Sequence, residues 1–517
     1  MDSCKKKCRW SDLSFCLFWV FCSGLIAHGF AYFNAAFSHD GLYQLSGTDD
    51  LFQVSLGRFL QPVWRFVRGD ISAPWLTGAL SLLFIALAAH LVIGLLRLRR
   101  PLWRGLACAL MTVNQTVTLL NATYTQWVDV FMLSLLLSVL AVWLLERGGL
   151  PSFALGALSL AASLALYQSY VSVALGLMLL LFIDRALQGR EAYPPRALFA
   201  WAGKAAAMAL LGAALYWGGM QLSLRLAGTA LSQGYNSIAG ALDFSLSQLP
   251  LLVGRTYWRF IRLLAIPDAA QPLRAVLMNG PLAALCAGLF VYRAHRARPG
   301  KLNALLAAVA VALLPFALNI SFFFSKGVQH RLMIYALALV YLMAMQFEER
   351  AGSAAGKTEG RGGKAVRCAI AAALSVLLFS NTIYANTVYL KKTLEAESFD
   401  MLMTRVLDRV EQVEGYVPGE TPVAFLGKFY ESPLLGEDIF AAYCQTGLEM
   451  RTSVTYGAVA ASYLHDRLGY NIRLATDEEI GAHASDPEVQ SLGVFPAADS
   501  VKMVDGCVYV RVSAQGD

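Results

Sequence analysis

The segment that decides the fold runs from Pro74 to Leu96 and reads PWLTGALSLLFIALAAHLVIGLL, 23 residues without Asp, Glu, Lys or Arg. The basic run Arg97-Leu98-Arg99-Arg100 follows it at once. An apolar stretch of about 20 residues can cross the hydrocarbon core of a bilayer as a helix. Flanking Lys and Arg are typical of the cytoplasmic end of such a helix. The segment therefore predicts a transmembrane helix whose C-terminal end faces the cytoplasm.

Further apolar runs of similar length predict a polytopic α-helical membrane protein with about 11 transmembrane helices. Of 517 residues, 57% are hydrophobic and 15% are charged, and the mean hydropathy is +0.52. Soluble domains hold about 25% charged residues, so this composition excludes a soluble, disordered or disulfide-rich secreted chain. The first run is longer than the core of a signal peptide and is predicted to be uncleaved. The runs cover about 13–32, 74–96, 106–122, 128–145, 152–167, 169–183, 205–222, 276–292, 302–323, 331–347 and 367–385.

The distribution of Lys and Arg sets the predicted orientation. With the N-terminus in the cytoplasm, the inside segments carry 22 basic residues and the outside segments before Asn386 carry 10, in agreement with the positive-inside rule. The chain from Asn386 onward has a net charge of −10 and the part before it +17, so the basic total does not indicate nucleic-acid binding. Eleven spans then place the acidic C-terminal part outside the cytoplasm, in the periplasm if the cell is Gram-negative.

Two domains are predicted. Residues 1–392 form the transmembrane domain, with outside loops at about 35–73 and 223–275, and residues 393–517 form a small extracytoplasmic α/β domain. Within the second domain the pattern favours a helix over 404–413, a buried strand over 421–427 and a hairpin over 501–512. Its two cysteines, Cys444 and Cys507, either form a disulfide, which this compartment permits, or stay as buried thiols.

The first outside loop concentrates acidic residues at the mouth of the first helix. Asp40 follows His39, and Asp49 and Asp50 lie nine and ten residues further on. A single loop carboxylate is often only a helix cap, but ionisable groups beside a membrane span usually mark function. A carboxylate at the membrane surface beside basic residues can act as a general base on a sugar hydroxyl, so Asp40 is either such a base or a helix cap or solvated loop acid, with Asp49 and Asp50 as competing candidates. The Asp49–Asp50 pair could also hold a divalent cation such as Mg²⁺ or Mn²⁺ through oxygen ligands.

The same loop continues into a basic, amphipathic stretch. Arg58 and Arg65 are seven residues apart, which would put them on one helical face, and Phe59, Val63, Phe66 and Val67 can form an apolar face. Such a helix lies in the membrane interface. It either anchors to anionic lipid headgroups or binds the phosphate of a lipid-linked substrate.

Three further polar clusters are candidates for the site. Asp129 opens the fourth span near Tyr124 and is either a substrate-facing carboxylate or an N-cap. Tyr167 and Gln168 occupy a tight outside turn, where aromatic anchoring at the interface competes with sugar binding. The third cluster, between spans nine and ten, can supply donors to a phosphate, and the long outside loop adds interleaved arginines. These basic residues are Lys326, His330, Arg331, Arg255, Arg259 and Arg262.

Several short segments, in order, resemble the bacterial integral-membrane glucosyltransferases that modify O-antigen. The similarity starts in the first outside loop and continues over most of the chain. It covers Phe37-Ser38-His39-Asp40-Gly41-Leu42-Tyr43, Leu56–Pro62, Pro74-Trp75-Leu76, Asn121–Asp129, Tyr167-Gln168-Ser169-Tyr170, Asn386–Lys392, Phe495-Pro496 and Val501–Val512.

The resemblance implies a glycosyltransferase of the GT-C class. Such enzymes transfer a hexose, commonly glucose, from a polyprenyl-phosphate sugar to a glycan such as O-antigen on the outer face of the inner membrane. Asp40 best matches the essential acid of that class. In this chain the donor phosphate would be met by Arg58, Arg65, Lys326, His330 or Arg331, and the sugar or acceptor by His39, Tyr124, Tyr167 and Gln168.

The implied partners are the lipid donor, the lipopolysaccharide acceptor, membrane lipids, a small flippase and a glucosyltransferase that makes the donor. Two other functions use the same features. A flippase for lipid-linked sugars would share the spans and the arginines, but it would not need carboxylates clustered at one outer mouth. An O-antigen ligase or polymerase also works on polyprenyl-linked glycans, but it usually centres on a different long loop.

The charge distribution gives a first testable prediction. Reporter enzymes that are active only outside the cytoplasm should be active when fused after residue 392, because an odd number of spans carries that point across the membrane. Fusions to the segment 350–367 serve as the control and should be inactive. A cytoplasmic signal after residue 392 would overturn the orientation.

Overall fold

The computed structural model describes most of the chain. The described residues are 10–34, 37–38, 41–42, 45, 50–70, 72–233, 246–268, 271–354, 360–436, 457–483 and 485–514.

Helices make up most of the described chain before residue 412. Short 3₁₀ turns connect some of them at 168–170, 331–333 and 335–337. The helices are α1 Trp10–Phe33, α2 Asp50–Ser55, α3 Leu60–Arg68, α4 Pro74–Leu96, α5 Pro101–Thr112, α6 Gln115–Thr123, α7 Val128–Arg147, α8 Leu150–Leu166, α9 Val171–Ala186, α10 Pro195–Ala227, α11 Leu249–Ala265, α12 Leu273–Ala297, α13 Lys301–Leu318, α14 Ile320–Phe324, α15 Ala338–Ala354 and α16 Arg361–Glu411.

Eight helices of the described chain are long and apolar enough to cross a membrane, namely α1, α4, α7, α9, α10, α12, α13 and α16. The predicted polytopic helical protein is therefore confirmed. Three of the predicted apolar runs fall on shorter or interrupted helices, which are α5 with α6, α8 and α15. The number of 11 spans stays a prediction.

The run predicted over 106–122 is two helices because Asn114 interrupts it. The Asn114 side chain accepts hydrogen bonds from the backbone N–H groups of Thr116 and Val117, both at 3.1 Å, and so caps the start of α6. An N-cap residue has extended backbone angles that cannot continue the preceding helix, and Asn114 has φ −146° and ψ 168°. The break separates α5 from α6 and places polar side chains at the joint.

Glycines allow the first two long helices to approach closely. A Cβ atom at Gly78 of α4 would lie 2.3 Å from the ring of Tyr32 on α1, and one at Gly24 of α1 would lie 2.4 Å from Leu82. Close approach over small residues increases van der Waals contact, which drives helix association in a bilayer. The main apolar core is built on this pair together with α5 and α7.

Buried ion pairs join helices at the end predicted to face the cytoplasm. Asp184 of α9 binds Arg293 of α12 at 2.7 Å and Arg350 of α15 at 2.8 Å. Asp184 and Arg293 are both almost completely buried. One carboxylate therefore holds three helices together.

The helix α16 is 51 residues long and runs without a break across the predicted domain boundary at 392/393. Its first part packs on α12 and α1. Its last part buries Phe399, Val406 and Val410 against Val508 and Val510 of the C-terminal strands. The predicted helix over 404–413 is the end of this longer one.

A four-stranded sheet follows α16, with the order β2-β1-β4-β3. Its strands are β1 Pro422–Leu426, β2 Arg473–Leu474, β3 Val501–Val504 and β4 Cys507–Arg511, and the short helices α17 Gly457–Ser462, α18 Asp477–His483 and α19 Pro487–Gln490 accompany them. The central strand β1 is parallel to β2 and β4, and β3 and β4 form an antiparallel hairpin turning at Asp505-Gly506. The predicted strand and hairpin are confirmed.

The predicted disulfide is not tested by these strands. Cys507 is buried at the start of β4. Cys444 lies outside the described residues, so the pairing stays a prediction.

Candidate functional site

Three of the predicted site residues in the first outside loop lie outside the described part of the chain, namely His39, Asp40 and Asp49. Their neighbours are described and are anchored. The Ser38 hydroxyl donates to the carbonyl oxygen of Thr123, at the end of α6, at 2.5 Å. Phe37 and Leu42 pack with Phe399 of α16 in the cluster beneath the sheet. Ser38 is therefore held at the end of α6, and Phe37 and Leu42 are held between α16 and the C-terminal strands.

A cavity opens beside this anchored segment. Asn34, Phe37 and Pro74 line it together with Tyr389 and Lys392 of α16. The full lining is Phe30, Ala31, Asn34, Phe37, Pro74, Asn121, Ala122, Thr125, Tyr389, Lys392 and Thr393. We call it the loop cavity, because the first outside loop begins at it.

Lys392 lines the loop cavity, and its neighbour Lys391 on α16 is buried as well. Lys391 and Lys392 are both fully buried, and Lys391 lies 3.6 Å from Glu395, one turn further along α16. Buried ammonium groups are expensive and often functional. The sequence analysis did not propose these lysines as site residues, although the Lys-Lys pair at the end of an apolar run was a visible signal.

Asp50 is paired with Arg65. The carboxylate of Asp50, at the start of α2, lies 2.5 Å from the Arg65 guanidinium, and Asp70 lies 3.4 Å from the same group. A metal ion at Asp50 would have to compete with this guanidinium for the carboxylate. Among the described residues the one close group of three metal-ligand side chains is elsewhere, at His483, Asp486 and Asp505. The metal role of Asp49 and Asp50 stays a prediction.

Arg58 lies in a different environment from Arg65, so the prediction that they share a helical face is wrong. Arg58 precedes α3, because a turn at Gly57 (φ 75°) separates it from α2. Its guanidinium stacks over the ring of Tyr167 at 5.0 Å. The predicted apolar face is confirmed for Val63, Phe66 and Val67, which are exposed on α3.

Phe59 is not part of that apolar face. It stacks on Tyr216 of α10, with ring centroids 6.1 Å apart. The Tyr216 hydroxyl donates to the carbonyl oxygen of Gly57 at 3.2 Å. Gln168 donates to the carbonyl oxygen of Leu56 at 2.9 Å. Gln168 and Tyr216 thus hold the turn that positions Arg58, which gives Gln168 a described structural contact beside its predicted role with the sugar.

Tyr167 and Tyr124 belong to the aromatic core of the bundle. Tyr167 is buried and packs edge-on against Phe131 at 4.5 Å, with Tyr170 5.8 Å away. Tyr124 packs edge-on against Phe131 at 6.5 Å. Anchoring at the lipid interface therefore does not describe Tyr167, whereas the sugar-binding role of both tyrosines stays a prediction.

Asp129 is completely buried in an ion pair. Its carboxylate accepts from Arg68 at 3.1 Å and from the indole N–H of Trp64 at 2.7 Å. The Arg68 side chain is 1% exposed and that of Asp129 is 0% exposed. Trp127, and not Asp129, is the N-cap of α7. These contacts fix the amphipathic helix α3 to the membrane bundle.

A second basic centre is formed by Arg331. Its guanidinium bonds the side-chain oxygen of Gln115 at 2.8 Å and forms an ion pair with Asp268. Arg259 of α11 lies nearby, bonded to Gln329 at 3.2 Å, and Arg259 and Arg262 both exert electrostatic repulsion on Arg331. Burial and then the neighbouring Arg262 lower the pKa of Arg259. We call Arg259, Arg262 and Arg331 the arginine cluster.

The other two predicted cations of this region differ in character. Lys326 is exposed, at a turn with φ 51°. Burial lowers the pKa of His330 from its ordinary value, which is about 6.5. This shift favours the neutral imidazole, so Lys326 and Arg331 are the cationic side chains of the segment.

A second cavity adjoins the arginine cluster, and we call it the arginine cavity. Gln115 and Thr116 line it, and both contact Arg331, the Thr116 hydroxyl donating to the Arg331 carbonyl oxygen at 2.9 Å. It encloses about 440 Å³, including the part open to solvent. Its lining is Asn114, Gln115, Thr116, Leu263, Leu264, Gln271, Ala275, Ile334, Tyr335, Leu337, Ala338, Tyr341, Leu377 and Asn381.

The two cavities lie along the same pair of helices. The arginine cavity includes Thr116 of α6 and Asn381 of α16, and the loop cavity includes Asn121 of α6 and Lys392 of α16. Neither lining contains Arg58 or Arg65. The role predicted for Arg58 and Arg65 at the donor phosphate therefore stays a prediction.

The Arg68–Asp129 pair gives a testable prediction about whether Asp129 is catalytic. Asp129→Asn should lower the free energy of unfolding by about 3–5 kcal/mol, because it leaves the Arg68 charge buried and unpaired. Arg68→Met in the same chain removes that charge and should restore most of the thermal unfolding midpoint of the purified protein. If Asp129 only positions α3, enzymatic activity returns with stability in the double variant. Restored stability without activity would assign Asp129 a catalytic role.

One protein family is similar to this chain over most of the region that forms both cavities. The family model for Glucosyl transferase GtrII matches residues 29–345, from the outer half of α1 to the middle of α15. No curated protein and no solved structure matches the chain. The matched segment is more than half of the 517 residues. The chain therefore belongs to the GtrII glucosyl transferase family.

Proposed function

We propose that this protein transfers glucose from polyprenyl-phosphate glucose to a cell-surface glycan, such as O-antigen, on the outer face of the bacterial inner membrane. Membership of the glucosyl transferase family supports the reaction. The long apolar helices support a membrane location. The predicted orientation puts the first outside loop, the arginine cluster and the C-terminal strands on the periplasmic side.

The choice of a phosphate-linked donor rests on the arginine cluster. Among the described residues, Asp268 is the one carboxylate in ion-pair contact with Arg331, and none pairs with Arg259 or Arg262. Asp268 is about half exposed, whereas Arg331 is largely buried. Three guanidinium groups near one another repel, so the site is stabilised by an additional anion. A phosphate matches guanidinium groups through paired, charge-assisted hydrogen bonds.

The lining of the arginine cavity supports a lipid-linked phosphate over a soluble one. The lining contains the apolar side chains of Leu263 and Leu264 of α11, Ile334, Leu337 and Leu377 together with a few amide and hydroxyl groups. Apolar pockets with a few polar groups suit ligands of mixed character. A polyprenyl phosphate combines an isoprenoid chain with a charged group and has this mixed character. A nucleotide sugar would present a second phosphate and a base to a predominantly apolar wall.

The proposed reaction needs one base and one cationic site. The carboxylate of Asp40 takes the proton of an acceptor hydroxyl as that oxygen attacks the anomeric carbon of glucose. The bond from the anomeric carbon to the phosphate oxygen breaks, and the polyprenyl phosphate leaves with the bonding electrons. Arg331 stabilises the charge that develops on the leaving phosphate. The buried Lys392 adds positive charge at the loop cavity, which Phe37 of the first outside loop also lines.

The same proposal names the partners. A donor assembled on the cytoplasmic face requires a separate glucosyltransferase to make it and a small flippase to carry it across the membrane. The acceptor is a lipopolysaccharide precursor that is present at the periplasmic face. Asp129 is assigned the role of holding α3, because its carboxylate is already saturated by Arg68 and Trp64.

Transfer of radiolabelled glucose tests the base. Membranes containing the protein should move label from polyprenyl-phosphate glucose to the glycan, and Asp40→Asn should reduce the rate by about 10²–10⁴-fold, because it removes the proton acceptor and keeps the shape. Protein abundance in the membrane should be unchanged. If Asp40→Asn keeps full activity and Asp49→Asn or Asp50→Asn loses activity, the base is Asp49 or Asp50 instead of Asp40. Movement of the lipid donor across the membrane without transfer would identify a flippase instead.

A second measurement tests the arginine cluster. Arg331→Gln keeps a polar side chain beside Gln115 but removes the charge, so the KM for polyprenyl-phosphate glucose should rise by about 10–100-fold, as is typical for a lost hydrogen bond to a charged group. Arg225→Gln is the matched control, since Arg225 is an exposed arginine at the end of α10. Equal KM values for Arg331→Gln and Arg225→Gln would show that the arginine cluster does not bind the donor phosphate.

A further inference from the structure

Within the described part of the chain, two side-chain oxygens at the arginine cavity have no hydrogen-bond donor. Gln271 is 1% exposed and Asn381 is 5% exposed. No described group donates to Gln271 Oε1 or to Asn381 Oδ1, although the Asn381 amide N–H donates to the carbonyl oxygen of Val113 at 3.3 Å. Both residues line the arginine cavity. A buried acceptor without a donor costs free energy, so these two oxygens are complementary to a ligand that brings O–H or N–H groups.

The same cavity is in contact with the arginine cluster. Gln115 lines the cavity and bonds Arg331, and Thr116 lines it and bonds the Arg331 backbone. A ligand that fills this space therefore lies beside two residues that bond Arg331 and meets two neutral acceptors in the lining. The acceptors come from separate elements, since Asn381 lies on α16 and Gln271 lies just before α12. A group with several hydroxyls attached to a phosphate has this chemistry.

We propose that the arginine cavity is the glycosyl subsite of the donor, in which Gln271 Oε1 and Asn381 Oδ1 accept hydrogen bonds from two hydroxyl groups of the transferred hexose. The inference rests on the proposed function, because it places the sugar of a polyprenyl-phosphate donor next to the phosphate site at Arg331. Sites that hydrogen-bond a substrate hydroxyl discriminate strongly against an analogue that lacks it, because the protein group is then left unpaired. Gln271 and Asn381 therefore determine which hexose is transferred.

The test measures kcat/KM of the full-length protein in membranes for polyprenyl-phosphate glucose and for its 2-, 3-, 4- and 6-deoxy counterparts. For the unaltered protein, kcat/KM should be about 10–100-fold lower with two of the deoxy donors than with polyprenyl-phosphate glucose. Gln271→Met should abolish the discrimination against one of these donors, and Asn381→Leu should abolish it against the other. Each variant should also slow the glucose donor to the rate of its own deoxy partner.

Gln346 provides the matched control. It is a buried amide whose side-chain atoms also have no partner, and it is not part of the arginine cavity lining. Gln346→Met should leave the discrimination between glucose and the four deoxy donors unchanged. If Gln271→Met or Asn381→Leu fails to accumulate in the membrane, alanine at the same position removes the acceptor without adding bulk and serves in its place.

The outcomes separate the subsite from the proposed function. If the protein transfers glucose but the variants slow all five donors by the same factor, these oxygens bond water or protein groups and the glycosyl subsite is wrong. If the unaltered protein transfers no glucose from the polyprenyl-phosphate donor, the proposed function itself fails. Loss of discrimination at a single hydroxyl in each variant is the result that establishes the subsite.

Discussion

The cost of burying an unpaired charge governs how the helices of this protein meet. Asp184 brings Arg293 and Arg350 onto one carboxylate at one end of the bundle, and Asp129 receives Arg68 and Trp64 at the other. An uncompensated ion among apolar helices costs several kcal/mol, so alternative packings that separate these partners are strongly disfavoured. The ion pairs thereby fix α9, α12 and α15 at one level and the amphipathic helix α3 at another.

Against that background the arginine cluster stands out, because its positive charge is not balanced within the described chain. Arg331 has one half-exposed carboxylate, whereas Asp184 satisfies two arginines in a fully buried setting. The bundle therefore contains two kinds of buried charge. Charges that join helices are paired with opposite charges, whereas the charges beside the arginine cavity are only partly paired. The second kind is expected at a site that binds an anionic ligand.

The sequence predicted the helical bundle well where a single apolar run forms one helix, as for α4 and α7, and it predicted the β3–β4 hairpin from Asp505-Gly506. It missed the break at Asn114, because an amide within an apolar run looks like a tolerated polar residue until its side chain caps the next helix. Arg58 and Arg65 were given one helical face from spacing alone, although the turn at Gly57 separates Arg58 from α3.

The sequence predicted the candidate site only in part, because it does not show how the helices pack. Basic clusters are visible in the sequence, so Arg331 was found. Partnerships such as Arg68 with Asp129, 61 residues apart, depend on how helices pack and leave no local pattern. Gln271 and Asn381 are even less visible, because their distinguishing property is an oxygen that lacks a donor, and this arises only when other elements close around it.

The unbroken course of α16 also constrains how the protein can vary. Asn381 at the arginine cavity, Lys392 at the loop cavity and Phe399 beneath the sheet all lie on this one helix. Inserting or deleting a single residue between them would turn everything beyond it by about 100° and shift it by about 1.5 Å. A change in chain length between these three positions would therefore alter the position and orientation of the two cavities and the C-terminal strands relative to one another.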